Sequence, residues 1–297
     1  MSEFFKTYLP YILAGISVGG QYALIAIGYT MVYGILRLIN FAHGDVFMVA
    51  GLIMVYTSSS LPIYISMPLV IVLTILLGFI IENVAYKPLR NAPRMSVMIS
   101  AIGVSYLLQN CALYFTGGLP QTYPAIPFFS KSVTVFGATT KVVTIITPIL
   151  TLVLVIALVL LIRCTKIGMA MRAVSKDFET SRLMGIKINT VISMTFVIGC
   201  FLAAIGSLLY FSNYTSVIPT SGAMPGLKAF VAAVFGGIGS IPGAVIGAFI
   251  IGICENIIKS GGSNWTIFSD AFTFVLLIII LLVKPTGIFG EKATDKV

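Results

Sequence analysis

The chain has 297 residues, of which 58% are hydrophobic and 9% are charged. A soluble domain carries about 25% charged residues, so the composition excludes an ordinary soluble protein and predicts an integral membrane protein. The formal net charge is +9, but the basic residues are concentrated in a few short segments between apolar runs, which argues against a nucleic-acid-binding face.

Apolar runs along the chain predict an all-α membrane protein made of one domain, residues 1–297. A helix of about 20 apolar residues crosses the bilayer core. Residues 45–58 are short for a crossing, and residues 228–256 are interrupted by glycines, so both elements are expected to be broken or re-entrant. The eight predicted elements are Tyr8–Leu36, Asp45–Ser58, Leu61–Tyr86, Ser96–Phe115, Val142–Ile162, Asn189–Tyr214, Lys228–Asn256 and Asp270–Val283.

Basic residues between the spans predict the orientation. Lysine and arginine accumulate on the cytoplasmic side because they resist translocation. Residues 163–187 are rich in both, and a second basic segment contains Lys87, Arg90 and Arg94. We therefore expect both segments to be cytoplasmic and the intervening residues 116–141 to form an external loop.

The basic C-terminal tail places a condition on the number of crossings. Lys284, Lys292 and Lys296 favour the cytoplasm, which requires an even number of crossings after Lys187. Only a broken Lys228–Asn256 element supplies that number. The irregular element at Asp45–Ser58 leaves the side of the N-terminus open.

Polar residues precede the short second element. Asn40, His43 and Asp45 lie at its edge, and His43 is the single histidine of the chain. Ionisable groups near membrane depth tend to face a cavity or the bundle interior, so these residues are candidates for a transport pathway. The alternative, which the residues alone favour, is an interfacial cap in which Asp45 stabilises a helix N-terminus and His43 bonds locally.

The segment 165–187 is too long for a tight turn and too polar to cross the membrane. Met171, Val174 and Phe178 recur at helical spacing, and Gly185 stands where a C-terminal cap is expected. Glu179 and Arg182 can pair at i,i+3. The residues favour equally a surface-lying connector and a helix that docks on another subunit.

Glycines interrupt the Lys228–Asn256 element at Gly236, Gly237 and Gly239. A broken helix releases backbone amides and carbonyls that must line a cavity or be buried in protein. In transporters such breaks often mark the permeation route. Close packing between helices is the alternative for any single glycine.

Catalytic and ligand-binding motifs are absent from the sequence. It contains no GxxxxGK[ST] phosphate loop, no HExxH and no GxSxG, and the four cysteines lack metal-ligand spacing. We therefore expect no ATPase site, metal site or cofactor in this chain. Glu82 and Glu255 are interpreted as residues at span boundaries.

Several motifs resemble those of the permease subunits of high-affinity branched-chain amino acid ABC importers. They occur in the family's order from one end of the chain to the other. The matching segments are Gln21–Gly34, Ile39–Asp45, Ala85–Arg90, Ile99–Gly103, Gly168–Gly185, Gly226–Phe230, Gly236–Ala244 and Lys284–Gly290.

The resemblance implies the ABC importer permease fold in a bacterial or archaeal cytoplasmic membrane, multi-pass. It also implies a second homologous permease, two cytoplasmic ATP-binding subunits and an extracytoplasmic binding protein that delivers branched-chain amino acids. Residues 165–187 would hold the coupling helix that docks on an ATPase. Its expected polar contacts are Arg172, Lys176, Asp177, Glu179 and Arg182, with Ala173 and Gly185 as close-packed positions.

Two alternatives to this function stay open at the level of sequence. Urea and amide ABC permeases share much of the pattern. A secondary transporter or channel would use interrupted helices equally well and would work without ATPase subunits.

Overall fold

The computed structural model describes residues 2–90, 92–135, 138–284 and 286–290. These residues form eleven α-helices and four short strands. A π-helical turn (Glu82–Tyr86) and a 3₁₀ turn (Lys87–Leu89) extend the third helix. The helices are α1 (Ser2–Leu36), α2 (His43–Ser58), α3 (Ile63–Ile81), α4 (Arg94–Thr116), α5 (Val142–Cys164), α6 (Lys166–Lys176), α7 (Phe178–Leu183), α8 (Ile188–Asn213), α9 (Ala223–Gly236), α10 (Ile241–Lys259) and α11 (Ser263–Val283). The strands are β1 (Gln121–Thr122), β2 (Ser132–Val135), β3 (Ala138–Lys141) and β4 (Ser216–Val217).

Seven helices in the described part of the chain are long and apolar enough to cross a membrane. They are α1, α3 with its extension, α4, α5, α8, α10 and α11. By contrast, α2 has 16 residues and α9 has 14, fewer than the roughly 20 that a crossing requires. The predicted all-α membrane fold is confirmed, with irregular elements at the two predicted places.

Helix α1 forms the centre of the bundle, with residues 23–27 fully buried. Its glycines let the backbone of α10 approach closely. A Cβ at Gly15 would lie 2.8 Å from Ile253 Cα, and one at Gly19 would lie 2.8 Å from Phe249 Cα. Because the two contacts run in opposite order along the two helices, α1 and α10 are antiparallel and packed through small residues.

The basic segments lie together at one end of the bundle, which we call the basic end. Arg90 hydrogen-bonds Asn189, which joins the segment after α3 to the start of α8. The C-terminal segment reaches the same end, where the Phe289 amide donates to the Gly236 carbonyl (2.9 Å). At the opposite end, β1 pairs with β4.

The path of the chain after Lys187 satisfies the condition set by the basic tail. Helix α8 leaves the basic end, the chain from β4 through α9 returns to it, α10 leaves again and α11 returns, which is an even number of passes. The structure also decides the side of the N-terminus. Gly34 near the end of α1 lies beside Gly239 at the basic end, so α1 begins at the opposite end.

Two predicted span boundaries were wrong. Helix α9 begins at Ala223 and not at Lys228, and α11 begins at Ser263 and not at Asp270. The charged residues were taken as boundaries, but Lys228 Nζ and Asp270 Oδ1 lie 2.6 Å apart. An ion pair lowers the cost of placing both charges inside helical segments.

The predicted external loop, residues 116–141, has more structure than expected. Strands β2 and β3 form an antiparallel hairpin within it, and β1 joins it to β4. Tyr123 is buried, with its ring 5.8 Å from that of Phe211 at the end of α8. The loop is therefore fastened to the bundle.

Candidate functional site

Helix α2 begins inside the bundle and not at its surface. His43, its first residue, packs on Gly28 of α1, where an added Cβ would clash with the imidazole. Gly28 lies eight residues before the end of α1, which corresponds to about 12 Å along the helix. Residues 37–42 therefore fold back into the bundle, and α2 runs from its interior to the opposite end.

The buried side chain of Asn40 connects this re-entrant loop to the π-helical turn. Its Oδ1 accepts a hydrogen bond of 2.6 Å from the Tyr86 hydroxyl. The same turn begins with Glu82, which is fully buried, pairs with Arg90 and accepts a hydrogen bond from Ser193 Oγ (2.7 Å). Isolated π-turns are common at functional sites, and this one joins α3, α8 and the start of α2.

His43 and Asp45 do not form the interfacial cap that the sequence favoured. Both residues are 2% exposed, and no side chain caps the start of α2. The His43 ring contacts Tyr29 edge-on (5.2 Å). The Asp45 carboxylate accepts hydrogen bonds from Ser105 Oγ (2.5 Å) and Gln109 Nε2 (3.0 Å). Asp45 therefore links α2 to α4.

The C-terminal segment of the described chain packs against the glycine break between α9 and α10. Gly237 and Gly239 have φ of +108° and +99°, which glycine adopts without strain. The carbonyls of Phe235 and Gly236 at the end of α9 accept hydrogen bonds from the amides of Ile288 (3.0 Å) and Phe289 (2.9 Å). The released carbonyls are thus satisfied by the C-terminal segment, as the packing interpretation requires.

The structure does not bring the pathway candidates together. His43 lies beside Gly28 of α1, whereas Gly239 lies beside Gly34. These two positions are about 9 Å apart along α1. The re-entrant loop and the glycine break nevertheless line one small cavity, to which Ile39 and Ile238 both contribute.

A buried ionic cluster escaped the sequence analysis. The Glu255 carboxylate is 2% exposed. Its Oε1 forms salt bridges with Lys228 Nζ (2.8 Å) and Lys259 Nζ (2.6 Å). Tyr22 donates to its other oxygen (3.0 Å), and Asp270 pairs with Lys228. The cluster ties α1, α9, α10 and α11 together. Glu255 lies within the last turn or so of α10, as its interpretation as a boundary residue implies, but it is buried and paired.

Replacing Tyr86 by phenylalanine tests the junction at the π-turn. The change removes one hydroxyl and leaves the buried Asn40 Oδ1 without its donor, which costs about 1–3 kcal/mol. We expect a lower melting temperature for the purified protein in mild detergent. Tyr64→Phe is the matched control, because Tyr64 is 83% exposed. Equal melting temperatures for the two variants would contradict the role of the hydrogen bond.

The segment predicted to couple to an ATPase consists of α6 and α7. Thr165 Oγ1 caps α6 by accepting from the Gly168 amide (3.1 Å). Asp177 Oδ1 caps α7 by accepting from the amides of Glu179 (3.0 Å) and Thr180 (3.2 Å). Met171 and Val174 are buried, so one face of α6 packs on the bundle.

The residues predicted to contact a partner differ in their surroundings. Asp177 is a helix cap, and Ala173 is half-buried. Gly185 has φ of +81°, and an added Cβ would meet nothing within 4 Å, so its backbone and not packing within the chain requires glycine. The salt bridges among the described residues include none between Glu179 and Arg182. The exposed members of the predicted set are Arg172, Lys176, Glu179, Arg182 and Gly185.

Two apolar side chains at the end of α7 were missed. Leu183 is 87% exposed and Met184 is 78% exposed, and both lie at the basic end outside any span. We call these two residues the apolar tip. Exposed apolar side chains on a polar segment fit a contact with a partner subunit or with the membrane surface.

The chain is similar in sequence to known transport permeases. A sequence profile described as "Branched-chain amino acid transport system / permease component" matches residues 11–281. The chain is 41% identical over the full length of both chains to the high-affinity branched-chain amino acid transport system permease protein LivH of Escherichia coli. It is 39% identical to the permease protein BraD of Pseudomonas aeruginosa over 98% of each chain. It is also 28% identical to the ribose import permease protein RbsC of Haemophilus influenzae, covering 91% of this chain and 83% of that one.

A solved structure shares the fold. It is described as an inward-facing conformation of a metal-chelate type ABC transporter. The TM-score is 0.50 at 16% sequence identity, covering 94% of this chain and 88% of that one. At this identity the likeness concerns the arrangement of helices alone.

Proposed function

The chain belongs to the family of branched-chain amino acid transport permeases, and on that premise we propose that it is the transmembrane subunit of an ATP-driven importer for branched-chain amino acids. It is a multi-pass protein of the bacterial or archaeal cytoplasmic membrane. It forms the translocation pathway with a second, homologous permease. Two cytoplasmic ATP-binding subunits supply the energy, and an extracytoplasmic binding protein delivers the amino acid.

The observation that carries this proposal is the apolar tip on a capped, basic segment. Helix α6 is anchored to the bundle through Met171 and Val174, while Leu183 and Met184 extend away from it. A rigid segment with apolar side chains at its end is suited to fill a hydrophobic groove on a partner. We propose that this groove belongs to an ATP-binding subunit and that the basic end faces the cytoplasm.

The route from this contact to the interior runs through the π-turn. Closure of the ATP-binding subunits moves α6 and α7, and α8 begins five residues after Leu183. At its start, α8 holds the segment after α3 through Asn189 and Arg90, and Tyr86 holds the loop before α2 through Asn40. A shift of α8 can therefore reposition the re-entrant helix and change the side to which the pathway opens.

Uptake by defined combinations of subunits tests the function. The permease is expressed with or without the ATP-binding subunits, second permease and binding protein of the same genome. We expect ATP-dependent uptake of radiolabelled leucine only when all are present, and retention of an ATP-binding subunit when the permease is purified. Leucine uptake by this chain alone would favour a secondary transporter or channel. Uptake of urea and not leucine by the full set would favour the urea and amide permeases.

A further inference from the structure

Helix α4 differs from the other spans at the periphery of the bundle. In an eighteen-residue stretch of α4, 17% of the residues are buried. The corresponding shares in α3, α5 and α11 are 22%, 22% and 11%. The mean hydropathy of the α4 stretch is only 1.4, whereas the other three have 2.6, 3.2 and 2.6. The mean hydropathies of the well-buried spans α1, α8 and α10 are 1.5, 2.2 and 1.9. Helix α4 is thus the least apolar of the peripheral spans, in part because Ser105 and Gln109 bind Asp45.

The uncovered face of α4 contains a stripe of four residues, Ile99, Gly103, Tyr106 and Asn110, flanked by the exposed apolar side chains of Ile102, Leu107 and Leu113. Their spacing of four, three and four places them on one side of a helix. Ile99 is 64% and Tyr106 is 63% exposed, and an added Cβ at Gly103 would meet nothing within 4 Å. Asn110 is exposed. We call these residues the α4 stripe.

The polar groups of the α4 stripe are unsuited to lipid. The Asn110 amide donates only to the Tyr106 carbonyl of its own helix (2.8 Å), and the Tyr106 hydroxyl has no partner among the described residues. Hydrocarbon offers no hydrogen bonds to such groups. On α5 the corresponding exposed side chains are aliphatic, for example Leu152, Val153 and Ile156.

Asp45 fixes the rotation of α4 about its axis. Its carboxylate binds Ser105 and Gln109, which are one helical turn apart on a face of α4 beside the stripe. The face of α4 opposite the stripe contains Leu108 and Ala112, and both are buried. Because α2 is the principal helix that packs against α4, these two hydrogen bonds keep the α4 stripe turned away from the rest of the chain.

Given the function proposed above, we propose that the α4 stripe lines the aqueous solute pathway, at the seam with the second permease. Water satisfies the Tyr106 hydroxyl and the Asn110 carboxamide there. A small zwitterion with an aliphatic side chain suits this surface, because Asn110 can bond either charged end while Ile99 and the open space at Gly103 accept the apolar part.

Cysteine accessibility in the assembled complex tests the pathway. The parent is a variant in which Cys111, Cys164, Cys200 and Cys254 are replaced by serine. Single cysteines are introduced at Gly103 and Asn110 of the stripe, and at Leu152 and Ile156 of α5 as controls. A small, water-soluble methanethiosulfonate reacts with the thiolate, which does not form in hydrocarbon. We expect the two stripe cysteines to react at least about tenfold faster than the α5 cysteines.

The outcomes separate the pathway from other environments of α4. Protection of Gly103→Cys or Asn110→Cys by leucine-loaded binding protein would support the proposal further. Reaction as slow as at Ile156→Cys would overturn it, and so would disulfide crosslinking to the second permease without access to the reagent, because a dry subunit contact would then cover the stripe. ATP-dependent leucine uptake by the unlabelled parent is measured in parallel. Its absence would count against the proposed function, while the labelling rates still decide whether the stripe is wet.

Discussion

Replacing Glu255 by alanine is expected to remove most of the folded protein from the membrane. One oxygen of this carboxylate serves both Lys228 and Lys259, and the other accepts from Tyr22. Lys228 has a side chain only 6% exposed, so its charge would lose its best-buried partner at membrane depth. Breaking a buried ion pair by removing one partner costs about 3–5 kcal/mol, a large part of the roughly 5–15 kcal/mol that stabilises a typical protein.

Asp270→Asn is the matched control for this prediction. Asp270 pairs with the same lysine, but its side chain is 40% exposed, so its loss leaves Lys228 bound to Glu255 and costs less. Both variants are compared by the amount of monodisperse protein after gel filtration and by the melting temperature in detergent. If Glu255→Ala melts at the temperature of the parent, the cluster does not hold the bundle together. If the two variants lose the same amount of folded protein, the Glu255 carboxylate contributes no more to stability than the Asp270 carboxylate.

Replacing Leu183 by aspartate is expected to abolish leucine uptake while the permease stays folded. Leu183 is 87% exposed, so the change alters the stability of the chain by less than about 0.5 kcal/mol. In the assembled importer, however, it would place a charge in an apolar groove. Loss of an interface anchor costs about 2 kcal/mol or more, which is roughly a 30-fold weaker contact. The measurements are leucine uptake and the amount of ATP-binding subunit that co-purifies with the permease.

The control for Leu183 is Leu119→Asp at the opposite end of the bundle. Leu119 is 67% exposed and lies outside the spans, so the same substitution should leave retention of the ATP-binding subunit unchanged. Normal retention and uptake with Leu183→Asp would exclude the apolar tip as the contact.

The sequence led to a different prediction for the same segment. The family resemblance implied polar contacts, with Ala173 and Gly185 as close-packed positions. On that basis Glu179→Lys combined with Arg182→Glu should leave insertion intact and abolish coupled stimulation of the ATPase. Exposed charges at the rim of an interface contribute less than apolar groups at its centre. If the charge reversal abolishes stimulation and Leu183→Asp does not, the contact is polar and the sequence-based assignment is preferable.

The order and extent of the apolar elements could be predicted from sequence, because hydropathy is a local property. The interruption at Gly236–Gly243 was also visible, since glycine runs are unfavourable in helices. Where the prediction was wrong, a charge stood inside a helix. Lys228 and Asp270 were taken as helix ends because their compensating partners lie far away in the chain.

The candidate site was predicted less completely than the fold. Asn40, His43 and Asp45 were singled out for their polarity near membrane depth, but the favoured interpretation of His43 and Asp45 as an interfacial cap was wrong. Asp45 binds Ser105 and Gln109, 60 and 64 residues further along the chain. The apolar tip was overlooked because leucine and methionine beside a helix in a hydrophobic chain carry no signal until their exposure is known.

By itself, the sequence determined that this protein is a bundle of membrane helices with its basic segments on one side. Composition, the length of apolar runs and the placement of charges can be read from the sequence without knowing which residues are in contact. Only the tertiary structure decided which charges are internal, how α4 is rotated and which face is left uncovered. The reason is that burial and pairing depend on residues brought together by folding, as with Tyr22 and Glu255, which hydrogen-bond across 233 positions of sequence.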